Sequence, residues 1–183
     1  MDLKQQAARI RLILMDVDGT LTDGTITVLP DGEELKSYHV RDGMGILMAQ
    51  LVGIDTGIIT GKTSRALEKR ASRLKMKFLY QGILDKGAAL KKVLSETGLS
   101  AKDVAYIGDD LGDLSVIKSV GLSAAVADAH DMVKKHCHMI CSLPGGAGAV
   151  REFIEFILEA QEHDWDSIET KLLALERLKS LKI

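Results

Sequence analysis

The stretch Leu12–Gly24, LILMDVDGTLTDG, runs from an apolar segment into two aspartates set two apart, Asp16 and Asp18, and then into Gly19. The apolar run reads as a buried strand, and residues i and i+2 of an extended chain share a face, so the two carboxylates fall on one side at its carboxyl end. Carboxylates about 4 Å apart repel by roughly 4 kcal/mol at an effective dielectric of 20. The pair therefore calls for a cation.

Outward from this stretch, strand-like runs alternate with helical patterns. RLILMD, DTGIIT, KFLYQ, VAYIG, SAAVA and HMICSL read as strands, with helices at 45–52, 64–74, 86–97, 111–120 and 131–135. This order predicts an α/β fold, a doubly wound parallel sheet covered by helices on both faces. Only 25–40, TITVLPDGEELKSYHV, breaks the alternation; it reads as a hairpin around Pro30-Asp31-Gly32. Open parallel sheets bind ligands outside the carboxyl ends of their strands, so this hairpin is expected to stand beside the site as a flap. After PGGAGAV the chain reads as helix at 149–161 and 166–182. The last helix carries an apolar stripe, Ile168, Leu172, Leu175, Leu178 and Leu181, expected to pack between subunits or on the outer surface of an oligomer, or else to dock on its own subunit.

The bulk properties exclude several classes of protein. A chain of 183 residues, 46% hydrophobic and 27% charged, suits one globular domain and not a disordered segment. A net charge of -2 gives no basic footprint for nucleic acid or anionic lipid. No signal-peptide core or membrane-length apolar run is present, which places the expected location in the cytoplasm. Cys137 and Cys141 lie among His136 and His138, a composition that suggests zinc. On a strand, however, the cysteines and the histidines face opposite ways and cannot converge on one ion.

The strand ends collect the chemistry. The first leaves Asp16 and Asp18, the second Thr60 before Gly61, and VAYIGDDLGD leaves Asp109, Asp110 and Asp113, while Lys86 opens the helix after LYQGILD. An oxygen-only ligand set suits Mg²⁺, completed by water and a substrate phosphate. The lysine, the threonine hydroxyl and backbone N–H groups near glycine can hold the remaining phosphate oxygens.

In this order the four segments resemble the motifs of the haloacid dehalogenase superfamily of phosphatases: DVDGTLTDG the first, IITG the second, the lysine of ILDKGAAL the third and GDDLGD the fourth. The resemblance implies that Asp16 is the nucleophile that forms an aspartyl-phosphate and that Asp18 is the general acid/base. It also implies that Thr60 and Lys86 neutralise the transferring phosphoryl group. Mg²⁺ is then held by Asp16, the backbone carbonyl of Asp18 and Asp109, with Asp113 supporting them from behind. A receiver-like phospho-aspartate binding domain, or a non-catalytic one, is the alternative of a different class. Receivers carry their adjacent acidic pair on the first strand, whereas here it comes late.

The intervals from Asp16 to Thr60 and from Thr60 to Lys86 are too short for a cap domain. DGEELKSYHVRDGMGI, LYQGILDK, VAYIGDDLGDL, VGLSAAVADAH and GGAGAVREF are similar to the capless KDO 8-phosphate phosphatases, which release phosphate from 3-deoxy-D-manno-octulosonate 8-phosphate for lipopolysaccharide synthesis. This resemblance implies a phosphatase domain over 1–162, a helical extension over 163–183, and a homotetramer whose subunits shape one another's pockets. It implies substrate contacts from Asp18, His39, Val40, Arg41, Asp42, Gly43, Gly61, Lys62, Arg70, Lys86 and Asp110. Lys62 stands where the family commonly has arginine, and Leu47 also replaces an arginine. The nine-carbon KDN 9-phosphate is the alternative substrate.

Overall fold

The computed structural model describes residues 2–180, with side chains described through residue 175. Six parallel strands form one sheet: β1 (Leu12–Met15), β4 (Asp55–Ile59), β5 (Phe78–Tyr80), β6 (Val104–Gly108), β7 (Leu122–Ala125) and β8 (Met139–Ile140). Their spatial order is β5-β4-β1-β6-β7-β8. The chain winds one way from β1 through β4 to β5, then crosses to the far side of β1 for β6, β7 and β8. The topological switch point therefore lies at β1, where such sheets place their ligands. β1 is buried along its whole length, as a strand paired on both sides and covered on both faces must be.

The helices are α1 (Leu3–Ala7), α2 (Val40–Leu51), α3 (Arg65–Arg73), α4 (Lys86–Thr97), α5 (Leu114–Ile117), α6 (Asp131–Lys134), α7 (Ala149–Ala160) and α8 (Trp165–Ser180). Right-handed crossovers put α2 and α3 on one face and α4, α5 and α6 on the other. α7 packs along α2, and α1 packs against α7. The hairpin is present but small, with β2 (Thr27–Val28) and β3 (Glu34–Leu35) antiparallel and Val28 opposite Glu34.

Two sequence expectations need correction, and for a third the structure favours one of its two alternatives. The extended run does not reach Val40: α2 begins there rather than at Gly45, with His39 as its N-cap. The helix expected at 111–120 is a 3-10 turn, Leu111–Asp113, followed by the single turn of α5. The final stripe starts against its own subunit: Ile168 is buried, Leu172 packs on the core, and the Lys171 ammonium donates to the Leu51 carbonyl at the end of α2. Leu173 is exposed, while the Leu178 side chain and Leu181 lie outside the described residues. β8 is an edge strand. Burial pushes the Cys137 and Cys141 thiols up to about 12, while His136 is exposed and the His138 ring lies 2.8 Å from the Ser123 hydroxyl.

Candidate active site

Three acids converge at the carboxyl ends of β1 and β6. Carboxylate oxygens of Asp16, Asp109 and Asp113 lie within 4.8 Å of one another, an arrangement able to hold a metal ion. Asp16 prolongs β1, its N–H donating to Ile107 O at 3.1 Å, and Asp109 follows β6. Burial and then the Asp113 charge raise the Asp16 pKa to about 6, against the pull of Lys86. Burial and then the Asp16 charge raise Asp109 to about 7, although the Thr20 hydroxyl donates to it at 2.9 Å. Such strain is what a divalent cation relieves.

Asp113 plays a different part. One of its oxygens accepts from Lys86 at 2.7 Å and Tyr106 OH at 2.6 Å, and the other accepts the N–H groups of Asp109 and Asp110 at 3.0 and 3.2 Å. With both oxygens committed, it orients its neighbours rather than offering a free ligand atom. Lys86 bridges Asp113 and Asp16, at 2.7 and 2.8 Å. It occupies the first position of α4, where the helix dipole disfavours a cation, and Asp85 caps that helix by accepting from Ala88 N–H at 2.9 Å. Burial alone lowers its pKa, but the two carboxylates outweigh burial and raise it. Thr60, buried at the end of β4, completes the floor, and its hydroxyl lies 3.5 Å from Lys62 N.

The hairpin contributes Lys36 and Tyr38, which are not among the expected site residues, beside the expected His39. Lys36, its side chain 4% exposed, forms an ion pair with Asp18. Tyr38 lies under Arg70, whose guanidinium is 5.6 Å from the ring centroid. Burial and then the Asp18 charge push the phenol up to about 12. Tyr38 OH and His39 Nδ1 are buried without partners, and Arg70 lies against Gly43 in the same cleft. Groups of this kind suit a polar ligand.

Other expected contacts are distributed as follows. Asp42 is 1% exposed; one carboxylate oxygen accepts the Arg151 N–H at 2.9 Å in the first turn of α7, and the other is buried without a partner in the cleft with Tyr38, His39 and Arg70. Val40 is 81% exposed, and Arg41 lines a separate cleft beside Ser142 and Arg151. The exposed Asp110 caps the 3-10 turn, its carboxylate accepting from Leu111 N–H at 2.8 Å. Gly61 is exposed at the rim, and Lys62 pairs with Glu34 of the hairpin at 3.5 Å.

The GGAG loop after β8 locks the loop that carries Asp16 and Asp18. Gly146 N–H donates to Thr20 O at 3.0 Å, and a Cβ on Gly145 would fall 1.8 Å from Gly19 O. Gly145→Ala must push the two loops apart. A loss of about 2 kcal/mol in stability is expected from overpacking, with a further tenfold or greater fall in turnover from displaced catalytic groups, roughly as such displacement costs elsewhere. Gly112→Ala, which meets nothing within 4 Å, is the control. Thermal melting and a turnover assay on both variants check this, and equal behaviour would contradict it.

Comparison with known proteins gives consistent likenesses. A family model described as haloacid dehalogenase-like hydrolase matches residues 78–154. The 3-deoxy-D-manno-octulosonate 8-phosphate phosphatase of Yersinia pestis is 47% identical over 161 residues, 88% of this chain and 86% of that protein. Its crystal structure superposes with a TM-score of 0.86, covering 87% of this chain and 86% of that one. The corresponding enzyme of Moraxella catarrhalis, solved in complex with magnesium ion, phosphate ion and KDO, is 36% identical with a TM-score of 0.89, covering 93% of this chain and 97% of that one.

Proposed function

The chain belongs to the 3-deoxy-D-manno-octulosonate 8-phosphate phosphatase family of haloacid dehalogenase-like hydrolases, and from that premise we propose that it hydrolyses KDO 8-phosphate to KDO and phosphate with Mg²⁺. The observation that carries this reading is the buried bridge of Lys86 between Asp16 and Asp113, set beside Asp109 at the switch point of the sheet. That is an arrangement for a metal and a phosphoryl group together.

Asp16 and Asp109 fit a hard divalent ion because both are oxygen donors whose ionised forms the site disfavours when no cation is bound. Mg²⁺ held there supplies charge neutralisation to the phosphoryl oxygens. Asp16, fixed by Lys86, attacks phosphorus and forms an aspartyl-phosphate as the sugar oxygen leaves. Asp18 gives that oxygen a proton and then takes one from the water that cleaves the intermediate. Thr60 and Lys86 donate hydrogen bonds to the non-bridging oxygens, and Asp113 keeps the Lys86 ammonium in position. Tyr38, His39 and Arg70 line the sugar side.

The same reading makes the protein a cytoplasmic homotetramer in lipopolysaccharide synthesis. Two observations support it: among the described residues no helix is long and apolar enough to cross a membrane, and the hairpin exposes Ile26, Val28 and Leu35. A two-stranded ribbon with exposed apolar residues is better stabilised when a neighbour covers it.

The test is Mg²⁺-dependent phosphate release from KDO 8-phosphate and KDN 9-phosphate side by side. A preference for the eight-carbon acid of at least about tenfold in kcat/KM is expected, corresponding to roughly 1.4 kcal/mol of differential transition-state binding. Equal rates, or a preference for the nine-carbon acid, would overturn the substrate assignment.

A further inference from the structure

Three ion pairs run from the hairpin to the body of the protein, Lys36–Asp18, Glu34–Lys62 and the long, exposed Glu33–Arg65, and the first two differ in character. Glu34 lies on β3 and Lys36 just beyond its end, and each reaches a partner in the body of the protein, while Leu35 between them is 53% exposed. Lys36 is the anchor, its buried side chain paired with Asp18. Glu34 reaches Lys62 at 3.5 Å, and both of these side chains remain over a third exposed, 36% and 41%. Lys62 belongs to the loop that carries Thr60.

Of the cations around the site, Arg65 at the start of α3 makes a still looser pair with Glu33, at 4.0 Å, and stands out in solvent, whereas three others are more firmly engaged than Lys62. Lys86 is held by two carboxylates, Lys36 by Asp18, and Arg70 lies over Tyr38 and against Gly43. Lys62 is held by one partly exposed carboxylate, an ion pair of the kind that contributes little stability. The sugar acid of the proposed reaction carries its own carboxylate, remote from the phosphate, and needs a cation at the rim.

We propose that Glu34 is a specificity-determining residue whose carboxylate holds the Lys62 ammonium in the ligand-free protein and gives way to the carboxylate of the sugar acid. The inference rests on the substrate reading given above. Exchange of one carboxylate for another keeps Lys62 paired throughout. A ligand without a carboxylate gains nothing at Lys62, because Glu34 already neutralises it. The same competition helps release the product, which retains its carboxylate after losing phosphate.

The experiment is calorimetric binding of KDO and, separately, of inorganic phosphate to the full chain in Mg²⁺, together with KM for KDO 8-phosphate. In Glu34→Gln the Kd for KDO and the KM are expected to fall about two- to fivefold, the range set by an exposed ion pair, with the Kd for phosphate unchanged. In a Lys62→Met background the same substitution should leave KDO binding unaltered, since the competition has lost its object. Unchanged or weaker KDO binding in Glu34→Gln, or an equal gain with Lys62 absent, overturns the proposal while the substrate reading stands. A wild-type chain that neither binds KDO nor hydrolyses its phosphate overturns both.

Discussion

Asp16→Asn is expected to lower turnover by at least about four orders of magnitude while making the metal-free protein more stable at pH 8. The first effect follows from chemistry, because an amide of nearly the same shape cannot attack phosphorus. The second follows from linkage. Asp16 titrates near 3.8 unfolded and about 6 folded, so the folded state disfavours its ionised form even with Lys86 alongside. That cost is present above about pH 6 and fades as pH falls toward 4, where the carboxyl is protonated in both states. A neutral amide escapes it, with an expected gain on the order of 1–3 kcal/mol at pH 8 that shrinks toward pH 4. Phosphate release and thermal melting in EDTA at both pH values measure the two effects. Retained turnover would refute the nucleophile assignment, and a variant destabilised at pH 8 would refute the electrostatic account.

The site could be read so far from sequence because its acids stand at strand ends. Asp16, Thr60 and Asp109 each follow a short apolar strand, so strand order alone brings them together. What could not be read depends on contacts between segments distant in the chain. Lys36 looks like a solvated hairpin residue until the ribbon folds back on Asp18. Asp42, beside His39, also has one oxygen taken up by the Arg151 N–H of α7, a pairing between segments far apart in the chain that no local pattern shows. The start of α2 was hidden for a related reason. Val40, Gly43 and Gly45 are weak helix formers, so intrinsic propensity delays the helix. Tertiary packing overrides that preference. A Cβ on Gly45 would sit 3.0 Å from Arg151 Cδ, so the residue that weakens the helix lets it approach α7 closely.

The carboxylate cluster also predicts how the whole protein responds to pH and metal. Asp16 and Asp109 fold into places where their pKa values are about 6 and about 7, against 3.8 for the unfolded chain. Between those limits the folded state binds more protons than the unfolded one, so stability falls as pH rises through this window. The metal-free protein is therefore expected to lose about 3 kcal/mol between pH 5 and pH 8, an allowance that counts the mutual repulsion of the two acids once. Mg²⁺ reverses the sign of the problem. It binds the ionised carboxylates, so its affinity and the stabilisation it confers should both grow from pH 5 to pH 8, with release of about one proton per ion near pH 6.5. Thermal melts in EDTA and in Mg²⁺ across this range, with calorimetric titration in buffers of different ionisation enthalpy, test each part. A metal-free melting temperature that is flat or rising from pH 5 to pH 8 would show that the acids are not strained in the empty site. Mg²⁺ binding without proton release near pH 6.5 would show that the ion does not displace protons from Asp16 and Asp109.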